Sequence, residues 1–309
     1  MLTDRLAEII RTRIHRPEAI AEAAARRVRP SSLVGPEGRL VLVAADHPAR
    51  GALRAGNERL AMADRARLLE RLCTALSRPG VHGVLGTADV LEDLLLLGAL
   101  DGKVVIGSMN RGGLAGTVFE IDDRFTGYDA PTIERMGFDG GKMLLRIDPE
   151  DPATAGTVQA CAQAVNDLAG RRMMAMVEPF ISHRVVGRVH NDLSPEAMIR
   201  AVSIASGLGA TSAYTWLKLP AVADMELVAG ASTLPVLLLG GEVPDDPEVA
   251  FAGWRKALQL PNVKGIVAGR SLLYPADGDV AGAVDTAVAM TAALSPQPTA
   301  DWVPGREAS

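Results

Sequence analysis

Lysine is nearly missing from this chain. Of 32 lysines and arginines only five are lysines, at Lys103, Lys142, Lys218, Lys256 and Lys264. Arginine supplies positive charge elsewhere, so a lysine inside an apolar run points to something arginine cannot do, which is to lose its proton. Aromatic residues are also scarce, at 4%, so a 48% hydrophobic chain must build its core from Ala, Val, Leu and Ile. The two cysteines, Cys73 and Cys161, lie in helical patterns and read as small buried hydrophobes. They exclude a disulfide framework and fit a reducing compartment. There is no basic surplus: the net charge of −5 and isoelectric point near 5.6 exclude a nucleic-acid footprint. No apolar run reaches the roughly 18 residues of a membrane span, and residues 1–16 carry scattered charge with no apolar core of secretory length. The expectation is a soluble cytoplasmic protein, with no membrane partner.

What is present is alternation. Apolar strand-like runs fall at 40–46, 83–86, 104–108, 143–147, 173–178, 213–218, 236–240 and 265–269. Amphipathic stretches lie between them at 59–76, 88–100, 154–169, 195–208, 222–231, 246–260 and 279–294. Thr87 and Ser194 are placed as helix N-caps, Pro195 as a first helical residue, and Gly80, Gly170 and Gly209 as stops. Strands each followed by a helix imply parallel pairing through right-handed crossovers. The fold class is therefore α/β, a (β/α)8 barrel over one domain spanning residues 1–309. The competing architecture, a doubly wound open sheet, lacks its dinucleotide fingerprint: Asp46-His47-Pro48 follows the first strand instead. Residues 1–38 are expected as a helical cap on the barrel bottom, 110–140 as a cover over the mouth, and 295–309 as a loose tail.

Barrel chemistry sits at the C-terminal ends of the strands. Asp46 ends the first run, Lys142 and Arg146 lie on the fourth, Glu178 ends the fifth and Lys218 ends the sixth. Their runs are otherwise apolar, so the charges should meet inside. They form either a structural ion-pair cluster or a site where Lys218 forms a Schiff base with a carbonyl. A lysine amine in water has a pKa of about 10.4, and burial plus a second cation such as Lys142 lowers it. Glu178 or Asp46 would then shuttle the proton. Gly240-Gly241 after the seventh strand and Gly269-Arg270 after the eighth match a phosphate cradle. Tight βα turns are the plainer account of the same glycines. His47 and Arg146 are candidate substrate contacts. His183 and His190, with Glu178, have no spacing suited to a metal, and neither a metal nor an organic cofactor is expected.

Five segments occur together in one order: Ala44-Ala45-Asp46-His47, Gly141-Lys142-Met143-Leu144-Leu145, Val177-Glu178-Pro179, Leu217-Lys218-Leu219-Pro220 and Gly265-Ile266-Val267-Ala268-Gly269-Arg270. With them the chain resembles the Schiff-base (class I) aldolases of the deoxyribose-phosphate/tagatose-bisphosphate aldolase superfamily, over residues 38–275. The resemblance implies an imine at Lys218, polar and acid/base roles for Asp46, Lys142 and Glu178, and phosphate contacts at Gly241, Gly269 and Arg270. It extends to an actinobacterial subgroup associated with inositol breakdown. That would make the reaction cleavage of 2-deoxy-5-keto-gluconate 6-phosphate to dihydroxyacetone phosphate and malonate semialdehyde. Fructose- or tagatose-bisphosphate or deoxyribose-phosphate cleavage, acyl or ketol transfer on the same imine, and a non-catalytic phosphate-binding barrel are the alternatives. Segments 110–140 and 183–191 match no family motif. The expected partners are a phosphorylated small molecule and further copies of the chain in a homo-oligomer.

Overall fold

The computed structural model describes residues 2–35, 38–241 and 247–292. The expected tail at 295–309, the residue Glu242 and the start of the 246–260 helix lie outside them. The strands are β1 (Leu40–Ala44), β2 (Gly83–Gly86), β3 (Val104–Ser108), β4 (Gly140–Ile147), β5 (Met174–Val185), β6 (Arg188–Asp192), β7 (Thr215–Pro220), β8 (Val236–Leu239) and β9 (Val263–Ala268). Leaving β6 aside, each strand is parallel to both neighbours. The order runs β4-β3-β2-β1-β9-β8-β7-β5, and β4 pairs with β5 to close the ring. This is a (β/α)8 barrel.

The helices are α1 (Leu2–His15), α2 (Ala19–Arg26), α3 (Arg65–Ser77), α4 (Ala88–Leu96), α5 (Ala130–Arg135), α6 (Ala153–Ala169), α7 (Pro195–Ser206), α8 (Met225–Gly230), α9 (Pro247–Ala257), α10 (Arg270–Leu273) and α11 (Val280–Ala292). In α3 the buried residues Leu68, Leu69, Leu72, Ala75 and Leu76 form one stripe at helical spacing. Each buried leucine there contributes about 1.5–3 kcal/mol. Ser194 caps α7 by accepting the Ala197 N–H at 3.3 Å, with Pro195 in the first turn. Thr87 stands at the N-cap of α4, but its hydroxyl bonds Asp89 Oδ1 at 2.6 Å rather than a backbone N–H.

Strand alternation divides the core in two. Val43, Val105, Met143, Ala175, Val177, Leu217, Leu219 and Leu238 belong to the large core beneath the helices. Leu40, Leu42, Ala44, Leu85, Val104, Ile106, Met174, Met176, Leu237 and Val267, with Trp216 against them, form a separate core inside the barrel. The lower half of the barrel is thus packed solid.

The structure corrects one expectation at the bottom of the barrel and adds an element at its mouth. Helices α1 and α2 do not plug the bottom. They lie beside α3 and α4, where Arg13 bonds Asp93 at 2.8 Å and Glu92 at 3.0 Å. The plug is the extended chain after α2, whose Leu33 and Val34 pack on the inner core. At the mouth, the unmatched 183–191 segment is a hairpin: β5 continues to Val185, and β6 pairs back antiparallel, Ile181 with Asp192 and Val185 with Arg188.

Candidate active site

The inward positions above the inner core carry the charges. Leu40, Leu42 and Ala44 on β1 lead to Asp46, and Val104 and Ile106 on β3 to Ser108. Met174 and Met176 on β5 lead to Glu178, and Trp216 on β7 to Lys218. On β4, Gly140 pairs with Ile106 and Met174, so Lys142 enters one step higher, level with Ser108. Val177 pairs with Leu217, which sets Glu178 beside Lys218. Both lysines are almost fully buried, Lys142 at 2% exposure and Lys218 at 4%.

Glu178 bridges them. Its Oε1 is 3.2 Å from Lys218 Nζ and its Oε2 is 2.5 Å from Lys142 Nζ. Lys142 Nζ also reaches Asp46 Oδ2 at 3.3 Å. The same Asp46 oxygen accepts from Arg111 Nη1 at 2.7 Å and Ser108 Oγ at 3.1 Å, while Arg111 Nη2 bonds the Asp46 carbonyl at 2.5 Å. Burial alone would raise the Glu178 carboxyl, but Lys142 and Lys218 outweigh it and hold it at about 2. Burial likewise opposes ionisation of Asp46, and Lys142, Arg111 and Lys218 hold it well below the ordinary carboxylate value. Burial lowers the Lys142 amine, against the attraction of Asp46 and Glu178. His47 Nδ1 stands 3.8 Å from Asp46 Oδ1. Burial, aided by Arg270 and Lys218, pushes the imidazole down to about 3, against the pull of Asp46. A quarter of its side chain is open to the mouth, and the ring is neutral at neutral pH.

These groups line one cavity of about 360 Å³ at the C-terminal ends of the strands. Its wall includes Asp46, His47, Lys142, Glu178 and Lys218 on one side and Gly240, Gly241, Gly269 and Arg270 on another. The glycines are required by close approach. A Cβ at Gly240 would stand 2.4 Å from Ser271 Oγ, and one at Gly269 would stand 2.5 Å from the Ala44 carbonyl oxygen. Gly241 has φ +65°. A larger depression of about 750 Å³ lies between α1, α2 and α4, but it is remote from the buried charges.

Arg146 is placed elsewhere. It shares the inward face of β4 with Lys142 but stands higher. There it bonds Glu120 Oε1 at 2.5 Å and the Glu120 carbonyl at 2.6 Å, and it is not among the cavity-lining residues. It fastens the 110–125 loop rather than facing the glycine turns. His183 and His190 oppose each other across the β5–β6 hairpin, exposed. Sequence reasoning missed Arg111, Ser108, Arg50 and the hairpin's Asn191 and Leu193. The long loop after β3 has no periodicity that could single out Arg111. The hairpin turns at Val186-Gly187, with φ +50° and +75°, and a β-branched residue in that conformation is no turn signal in the sequence.

Fold and site together define a (β/α)8 barrel with a lysine–carboxylate–lysine centre buried in its mouth. The chain belongs to the Cgl0159-like family, whose model matches residues 38–288. It is 51% identical to Cgl0159 from Corynebacterium glutamicum, with a TM-score of 0.91 over 94% of this chain and 97% of that one. At 19% identity and a TM-score of 0.62 it shares its fold with a Schiff-base-forming fructose-1,6-bisphosphate aldolase, over 88% of this chain and 99% of that one. An archaeal fructose 1,6-bisphosphate aldolase is similar at 18% identity and a TM-score of 0.63, over 88% and 98% of the two chains. No curated protein matches. Among the described residues no helix is long and apolar enough to cross a membrane.

Proposed function

We propose that the protein is a class I aldolase that cleaves a phosphorylated keto sugar or sugar acid through an imine on Lys218. The observation that carries this reading is a single cavity holding both the Lys218–Glu178–Lys142 chain and the Gly240–Gly241 and Gly269–Arg270 turns. Lys218 attacks the substrate ketone, and water leaves as the imine forms. Glu178 already faces Nζ as an anion, so it stabilises the positive charge that the protonated imine retains. That charge draws the electron pair of the breaking carbon–carbon bond. A carboxylate, Glu178 or Asp46, accepts the proton of the substrate hydroxyl, and the aldehyde fragment leaves. The enamine is then protonated on carbon, and water releases the ketone fragment and the free amine.

Arg50, Arg111, Lys142, Lys218 and Arg270 line the cavity against Asp46 and Glu178, an excess of positive charge suited to an anionic substrate. The glycine turns let backbone N–H groups approach a phosphate, and Arg270 grips it from the side. The likeness to the subgroup associated with inositol breakdown, rather than the five segments themselves, favours 2-deoxy-5-keto-gluconate 6-phosphate as substrate. Its products would be dihydroxyacetone phosphate and malonate semialdehyde.

The test is to incubate the protein with dihydroxyacetone phosphate, reduce with borohydride and map the added mass. Label on Lys218, lost in Lys218→Arg, is the expected result, and it should persist in EDTA. Label elsewhere, or none, overturns the mechanism. Retro-aldol turnover of 2-deoxy-5-keto-gluconate 6-phosphate but not of fructose 1,6-bisphosphate is expected, and the reverse preference overturns the substrate assignment alone. Single turnover of Glu178→Gln and Asp46→Asn then tells which carboxylate takes the hydroxyl proton.

A further inference from the structure

Among the described residues β6 pairs with β5 alone, so its other side is a sheet edge with backbone groups free to accept a strand. The edge lacks a proline or bulge to blunt it, and apolar residues flank it at both ends. Val185 and Val186 at the hairpin tip are 53% and 98% exposed, and Leu193 just past the strand is 48% exposed. The strand reads Arg188-Val189-His190-Asn191-Asp192, and it is complementary to itself. Laid antiparallel against a second copy with His190 at the centre, Arg188 falls opposite Asp192, and Val189 opposite Asn191. The same register carries the Val186-Gly187 tip onto Leu193-Ser194. One axis thus yields two Arg–Asp pairs from a single free edge, and it brings the tip of each copy to the end of the other's strand.

We propose that β6 of one protomer pairs with β6 of a second copy about a twofold axis at His190, joining the two barrels through a continuous ribbon of sheet. Arg188 meets Asp192 of the partner subunit, and the partner's Val186-Gly187 tip lies against Leu193 and Ser194. Asn191 and Leu193 line the catalytic cavity, so the partner's tip forms part of the entrance in each protomer. This interface stands independently of the imine chemistry.

The test uses sedimentation velocity on the full chain. Wild type is expected as a dimer or a multiple of dimers. The twofold axis places each residue in the interface twice, so reversing one residue replaces two attractive pairs with two like-charge pairs. Arg188→Glu and Asp192→Arg should each raise the dissociation constant about tenfold or more. Asp192 also accepts the Ser194 N–H at 2.9 Å, so a loss in Asp192→Arg alone could reflect local unfolding. Mixing the two variants resolves this, because the heterodimer restores both opposite-charge pairs. At a concentration where each variant alone is largely monomeric, the mixture should associate. A monomeric wild type, association unaltered in Arg188→Glu, or no gain on mixing overturns the proposal.

Discussion

Arg111 shows what one residue contributes that the chain does not advertise. Its planar fork spans the Asp46 carboxylate and the Asp46 carbonyl at once, at 2.7 and 2.5 Å. A lysine is a point charge and cannot hold both. Arg111 therefore sets the direction from which Asp46 meets Lys142. Arg111→Lys should lower kcat about a hundredfold, the cost of a misplacement near 1 Å, while KM for the cleavage substrate changes little. Steady-state kinetics check this, and an unchanged kcat would show that the orientation of Asp46 is immaterial. Lys142 and Lys218 were legible because lysine is rare and their runs apolar. Arg111 was not, since it is one of many arginines and its partner is 65 residues away.

At the scale of elements, the loop after β3 owes its position to buried charge. Arg50 donates to the Asn110 and Gly113 carbonyls and pairs with Asp123, whose other oxygen accepts the Gly113 N–H. Arg146 holds Glu120, both side chains buried. Alternation along β4 correctly told that Arg146 points inward with Lys142, but it says nothing of height. Two further steps along the strand carry a side chain above the site and into the loop. Arg146→Ala strands a buried carboxylate and should cost about 3–5 kcal/mol. Arg146→Met with Glu120→Leu should lose much less. Urea midpoints of the three proteins decide, and equal losses would show that the pairing itself is unimportant. The 183–191 segment, which matches no family motif, holds no sequence signal for the β5–β6 hairpin. Its polar and apolar residues alternate without a buried face, because it rises past the barrel mouth and is tied down through Arg184, which bonds Asp151 and the Val118 carbonyl.

For the whole molecule, the buried charges tie stability to pH. The folded His47 imidazole is depressed to about 3 from 6.5, so between those values the unfolded chain binds the proton and the native state does not. Glu178 is depressed to about 2 from 4.5, with the same sign. Stability should be full above about 6.5. It should fall first as unfolded His47 protonates, and again between 4.5 and about 2 as unfolded Glu178 does. Asp46, depressed in the same direction, adds to the second fall, so Glu178→Gln should shrink that fall and leave the first. Denaturation midpoints against pH test this, and a midpoint that rises on acidification would contradict the native charge state.

The sequence alone determined the barrel, the order of its parallel strands and the inward lysines and carboxylates. Those follow from local alternation, in which every second side chain turns to the same face and each apolar run needs a helix to cover it. Tertiary structure decided the rest: Glu178 between two lysines, Arg111 on Asp46, Arg146 spent on Glu120, Leu33 and Val34 as the plug. Register between strands and the reach of long side chains depend on residues far apart in the chain, and only the closed barrel brings those distances to a few ångströms.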